Sequence, residues 1–444
     1  MRINKQHKIQ INAPHPDSPS SYGVLANVLT KALLAQGYEY IVNSSLMGGN
    51  APSFNSSDGQ RLHIYPQRQT TNMGSASSSS NDMAYRLEQP HLMISILNPR
   101  LLDVSTYKDR NSIMWTPSET DEMMPSDVKA LENASAIWGM SKFVTESIKR
   151  AMPHKDNIYY VPCMIFDEYV PKHKQVARDF LAQHSMRASL VNNPITNIND
   201  PRYRPTYNEL KDAFIFGFNG ANSHDPSRKD FYALVEIFAL ILQKIPNAYL
   251  YIHTASLYGE AWWLTAKELG VDHRILCPMM EMYDLNYFAP EDLAIIYSAW
   301  DVSLDVEYGA GFGLPPVEAM ACGVPFIGLE HTSLTEHTHP SLLVKSKPRY
   351  WRVAPKHEGK RWASAWNIDE VARACINYAK SSQSFKDSMR DWSLQYAQQY
   401  YPRNVYNSYI LPFFAKFEFP HTATTRLELG NWREHWRNRA RIDH

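Results

Sequence analysis

Short apolar runs alternate with longer segments of helical spacing along most of the chain. KIQINAP (residues 8–14) reads as a strand, DSPSSYG (17–23) as a turn, and VLANVLTKALLAQG (24–37) as a helix stopped by Gly37. YEYIVNSS (38–45) is the next strand, which completes a βαβ unit, the building block of a parallel sheet. HLMISILN (91–98) and NIYYVPCMI (157–165) are further strands, while 130–152 mixes strand and helix signals. Residues 48–85 are polar, with GSASSSSND at their centre, and read as a surface loop. Residues 185–212, with several prolines and asparagines, read as a linker.

The pattern then repeats. AFIFGFNG (213–220), AYLYIHT (248–254), HRILCPM (273–279), DVSLDV (301–306) and GVPFIGLE (323–330) are strands. FYALVEIFALILQKIP (231–246), PEDLAIIYSAW (290–300) and IDEVARACINYAK (368–380) are helices. Two rounds of strand and helix predict an α/β protein with two doubly wound, Rossmann-like domains facing a central cleft, with ligands at the carboxyl ends of the strands. The expected division is 1–205 for the first domain and 206–400 for the second. A helical tail, 401–444, is expected to pack back on the first domain.

Forty-five basic residues balance forty-five acidic ones, so no global field draws the chain to nucleic acid or an anionic membrane. Cys163, Cys277, Cys322 and Cys375 are scattered, which argues against a disulfide scaffold or a cysteine metal site and suits a reducing, cytoplasmic location. The first residues lack the apolar core of a signal peptide, and no apolar run approaches bilayer length.

The candidate chemistry centres on EYGAGFGLPPVEAMACGVP (307–325). Glycines after a strand let backbone amides approach a ligand, and proline suits the first turn of the helix that follows. A helix N-terminus favours phosphate, whereas a carboxylate such as Glu318 suits sugar hydroxyls. On spacing alone, an ordinary tight turn with a helix-capping glutamate fits equally well.

GFGLPPVEAMACGVPFI (311–327) resembles the signature of family-four retaining glycosyltransferases, which have the GT-B fold. Other segments resemble that family in the same order. These are SSYGVLANVLTKALLAQGYEYIV (20–42), MWTPSETDEMMPSDVKALENASAIWGMSKFVTESI (114–148) with Thr116 and Glu119, HDPSRKDF (224–231), PEDLAIIYSAWDVSLD (290–305) and GKRWASAWNIDEVARA (359–374). The resemblance implies a metal-independent enzyme without a cofactor, for which a nucleotide sugar is the substrate. Arg228 and Lys229 would neutralise the departing diphosphate and are the catalytic candidates. Gly23, with Ser21 and Tyr22 in the same turn, would lie beside the diphosphate and the reacting sugar. Gly311, Phe312, Gly313 and Leu314 would shape the donor pocket, Glu318 would hold the ribose, and the backbone at 277–280 would meet the base. Two departures stand out. The family's first glutamate falls at Ala310, leaving Glu307 as the candidate for sugar recognition, and an expected arginine is replaced by Asn219 or Asn222.

A saccharide or glycan acceptor is expected. KSKPRYWRVAPKHEGKRW (345–362) carries Arg349, Trp351, Arg352, Lys360 and Arg361, basic and aromatic residues of the kind that track phosphates and stack bases. DNA with a hydroxymethylated base is therefore the alternative acceptor, and a peripheral membrane contact is left open. A sugar-nucleotide-binding protein without catalysis, motivated by Ala310, is the third reading.

Overall fold

The computed structural model describes residues 1–14, 20–45, 90–99, 110–120, 122–191, 204–222, 227–254, 259–279, 288–353, 360–365 and 367–420, with short strand segments at 54–55, 61–62 and 64–66. The first sheet contains β1 (Ile9–Ala13), β2 (Ile41–Ser45), β3 (Ile64–Pro66), β4 (Leu92–Ile96), β5 (Ser112–Thr116), β6 (Ala136–Gly139) and β7 (Ile158–Tyr160). Their order is β3-β2-β1-β4-β5-β6-β7, and every pair is parallel. β4, β5 and β6 are buried at every position, as their continuous apolar runs require in a sheet covered on both faces.

The second sheet contains β8 (Ser185–Arg187), β9 (Phe214–Asn219), β10 (Ala248–His253), β11 (Ile275–Pro278), β12 (Val302–Leu304), β13 (Phe326–Leu329) and β14 (Leu343–Val344). Its order is β8-β11-β10-β9-β12-β13-β14, with only β8 antiparallel. Strand order reverses between β1 and β4 and again between β9 and β12. At such a reversal the flanking connections leave in opposite directions and open a crevice at the carboxyl ends.

Three boundaries differ from the sequence reading. The helix after β1, α1 (Ser21–Ala35), starts three residues early because the Ser20 hydroxyl accepts the Gly23 N–H at 3.2 Å. Ser21, Tyr22 and Gly23 are thus helical, not a glycine turn. The stretch expected as a linker supplies β8, the edge of the second sheet. The helix before it, α2 (Lys174–His184), belongs with that sheet as well. Arg178 on α2 pairs with Asp301 at 2.8 Å and donates to the Ala213 carbonyl at 2.8 Å. Residues 174–187 thus pack with the second sheet.

Residues 402–416 are helical, with a π-turn at 406–410, and lie on the first domain. Phe413 meets Trp138 edge-on at 5.2 Å, and the Phe419 N–H donates to the Met1 carbonyl at 2.9 Å. The rest of the tail, residues 421–444, lies outside the described residues, as does most of the serine-rich insert. The basic, aromatic stretch contains an antiparallel hairpin, β15 (Lys347–Val353) with β16 (Lys360–Ala365), which sets Trp351 opposite Trp362 and Arg352 opposite Arg361. The side chains of Arg349, Trp351, Arg352, Lys360 and Arg361 lie outside what the structure describes. No helix among the described residues is long and apolar enough to cross a membrane.

Candidate active site

The reversal between β9 and β12 gathers charged side chains from three segments. Arg228 and Lys229 occupy the turn before helix α3 (Phe231–Leu242), and Asp305 and Glu307 follow β12. Lys229 Nζ lies 3.1 Å from Asp305 Oδ2 and 2.9 Å from Glu307 Oε2. Arg228 donates to Glu307 and to the Gly309 carbonyl, and its Nη2 lies 3.3 Å from Glu119 Oε1 of the first domain. Asp305 and Glu307 are 2% and 1% exposed. Two cations therefore face three carboxylates. Burial lowers the Lys229 pKa, and Asp305 opposes that shift. Glu307 is consequently engaged as the counter-ion of both basic residues in this state.

The turn is held by a residue that the sequence reading missed. The buried Glu260 carboxylate accepts the Ser227 N–H at 2.7 Å and the Phe231 N–H at 2.6 Å, one on each side of the basic pair. It fills the α3 N-terminus, where a carboxylate is favourable. Asn222 fixes Glu260 in turn, accepting its N–H at 2.8 Å and donating to its carbonyl at 2.9 Å. The only non-glycine residues with positive φ among those described are Asp230 (φ 45°) and Thr332 (φ 50°), and both border this cluster. Left-handed backbone at such residues is costly and persists where surrounding contacts impose it.

The glycine loop after β12 serves the meeting of the two domains. A Cβ on Gly309 would stand 2.0 Å from the Glu119 carbonyl oxygen, and one on Gly311 would stand 2.7 Å from Pro117 Cβ. Residues 117–119 of the first domain make this close approach. Phe312 is buried against His337 (4.7 Å) and Tyr400 (5.3 Å). Gly313, at φ 90°, precedes helix α5 (Leu314–Ala321), and Leu314 is buried. A second tie joins the domains, because Glu336 accepts the N–H groups of Lys142 (3.1 Å) and Phe143 (2.7 Å) at the start of a first-domain helix.

Glu318, on α5, is buried in a cage of tyrosines. It accepts from the Tyr297 hydroxyl at 2.6 Å and is also hydrogen-bonded by Tyr169. The Tyr297 hydroxyl lies on helix α4 (Pro290–Ala299) and accepts from Asn219 at 2.6 Å. Burial pushes the Glu318 carboxyl up to about 7, against the two tyrosine bonds. Asn219 thus serves the Glu318 cage and Asn222 serves Glu260. Ser21, Tyr22 and Gly23 lie at the carboxyl end of β1 in the other domain. Cys277 is buried on β11, and residue 280 lies outside the described residues.

The same architecture is found in solved structures. HepE from Anabaena, in complex with UDP and glucose, superposes with TM-score 0.63 at 12% identity, covering 93% of this chain and 100% of that one. Sucrose-phosphate synthase from Thermosynechococcus elongatus gives TM-score 0.63 at 16% identity, covering 92% and 100%. The N-terminal domain of Candida albicans trehalose-6-phosphate phosphatase gives 0.58 at 9%, covering 94% and 97%. No protein-family model and no curated protein matches the sequence. The likeness is one of fold. The chain has the GT-B architecture, two Rossmann-like domains closed on a cleft.

Proposed function

We propose that this chain is a nucleotide-sugar-dependent glycosyltransferase of the retaining kind, resembling family four and acting on a hydroxyl of a saccharide or glycan. The observation that carries the reading is the Arg228–Lys229 pair at the strand-order reversal of the second domain, facing the first. A departing nucleoside diphosphate gains negative charge in the transition state, and fixed cations aimed at that position lower the barrier. Lys229 is buried and anchored, while the Arg228 side chain is 37% exposed. Arg228 is therefore the group that turns, exchanging Glu119 and Glu307 for phosphate oxygens when a donor enters. In this reading the chain's own cations supply the positive charge and no metal or cofactor is required. Glu318 holds the ribose once a hydroxyl of the nucleotide replaces a tyrosine hydroxyl at its carboxylate.

The matching of both cations by carboxylates favours a second reading, a nucleotide-binding protein without turnover. Incubation with UDP-, GDP-, ADP- and dTDP-sugars, with release of nucleoside diphosphate as the readout, separates the two. HepE binds UDP, so UDP-sugars come first. Release in the wild type and its loss in Lys229→Ala support transfer. Nucleotide binding without release from any donor supports the second reading, and unchanged release by a folded Lys229→Ala protein refutes the phosphate assignment. Release that rises only with hydroxymethylated DNA would replace the glycan acceptor with DNA.

A further inference from the structure

The turn after β13, His331–Thr332–Ser333, has no part in the chemistry above, yet it is locked onto the loop beside the basic pair. The Thr332 hydroxyl accepts the Ala310 N–H at 3.0 Å, and the Ser333 hydroxyl reaches the carbonyls of Ala310 (2.9 Å) and Phe312 (2.8 Å). Thr332 takes left-handed backbone (φ 50°) at this docking point, a strained conformation that persists where surrounding contacts impose it. The turn lands on Ala310, where the resembling family has its first glutamate.

His331 Nδ1 lies 3.1 Å from Thr332 Oγ1. That oxygen already takes the Ala310 N–H, so its own hydrogen is available to Nδ1 and the ring proton belongs on Nε2. Nε2 is buried and has no hydrogen-bond partner among the described residues. The residue is 6% exposed, and its ring is close enough to Asp305 and Arg228 for both to act on its charge. A buried N–H without an acceptor is unfavourable.

We propose that His331 Nε2–H donates a hydrogen bond to the diphosphate of the bound nucleotide, alongside Arg228 and Lys229. The inference rests on the reading that this cleft takes a nucleoside diphosphate. The glutamate missing at Ala310 would have offered a ligand an acceptor. The His331 turn offers it a donor.

The test is calorimetric titration of the full chain with UDP and with inorganic pyrophosphate. His331→Phe should weaken both by roughly tenfold or more, the loss of one bond to a charged group, while a thermal melt reports whether the variant is folded, since the change removes an unsatisfied donor but also the acceptor of the Thr332 hydroxyl. His331→Gln, whose amide nitrogen reaches the Nε2 position, should recover most of the affinity. In 15N-labelled wild type, the Nε2–H resonance should move downfield on saturation with pyrophosphate. Wild-type affinity in a folded His331→Phe protein would overturn the inference and leave the nucleotide site standing. A failure of the wild type to bind UDP or pyrophosphate would overturn both. If His331→Phe does not fold, an Nε2–H signal unmoved by pyrophosphate is the overturning result.

Discussion

Replacing Glu307 by glutamine probes the charge balance at the centre of the cleft. The cluster of Arg228, Lys229, Asp305, Glu307 and Glu119 carries one excess negative charge. Glu307→Gln brings it to neutrality with little change in shape. Removing one partner of a buried ion pair costs about 3–5 kcal/mol when the other is stranded. Here Lys229 keeps Asp305 at 3.1 Å, Arg228 keeps Glu119 at 3.3 Å, and the new amide oxygen still accepts a hydrogen bond. The expected loss is therefore lower, about 1–2 kcal/mol, read as a shift in the urea midpoint. Binding should move the other way. A unit charge 4 Å from another contributes about 4 kcal/mol at an effective dielectric of 20, a gross figure that solvent and side-chain motion reduce. Even a third of it would tighten UDP binding about tenfold. A titration that finds UDP bound more weakly by a folded Glu307→Gln protein would refute this reasoning. Glu307 would then touch the ligand, in the sugar-recognition role that the sequence suggested, and would not be a competing counter-ion.

Two further expectations follow from single contacts. Gly309→Ala places a methyl group against the Glu119 carbonyl, so the domains should part; small-angle scattering should show a larger radius of gyration, and sugar transfer should fall about a hundredfold. An unchanged radius and rate would mean that closure does not depend on this contact. Burial raises the Glu318 carboxyl from 4.5 in the unfolded chain to about 7 in the folded one. The native state therefore holds its proton more tightly, and the stability it contributes is complete below pH 4.5 and declines as pH rises to about 7, by roughly 3 kcal/mol. Glu318→Gln should abolish that decline in urea melts across the same range, and an identical pH profile for the two proteins would count against it.

The two-sheet architecture was legible because its inner strands, such as Leu92–Ile96 and Ala248–His253, are buried along their whole length and leave continuous apolar runs. β8 was not, since three residues show no periodicity and its antiparallel pairing depends on β11, ninety residues away. The start of α1 was hidden because Ser20 and Ser21 are equally good caps on paper, and only the Ser20 hydroxyl is used. Arg228, Lys229 and Glu318 were marked by their motifs. Their partners were not, because Glu260 and Tyr297 act through contacts between residues far apart in the chain. At the glycines at 309 and 311, residues 117–119 of the first domain come close, a contact between segments almost two hundred residues apart that no local pattern shows.

The return of residues 402–419 to the first domain makes that domain discontinuous along the chain. Trp138, on β6, is covered by Phe413, and the first residue is tied to Phe419. At about 5–20 residues per second, translation from residue 160 to 419 takes on the order of 13–50 s. During that interval the second domain, whose strands are all in place by residue 344, can close on its own. The first domain waits with an aromatic surface uncovered, in sight of chaperones and of other nascent chains.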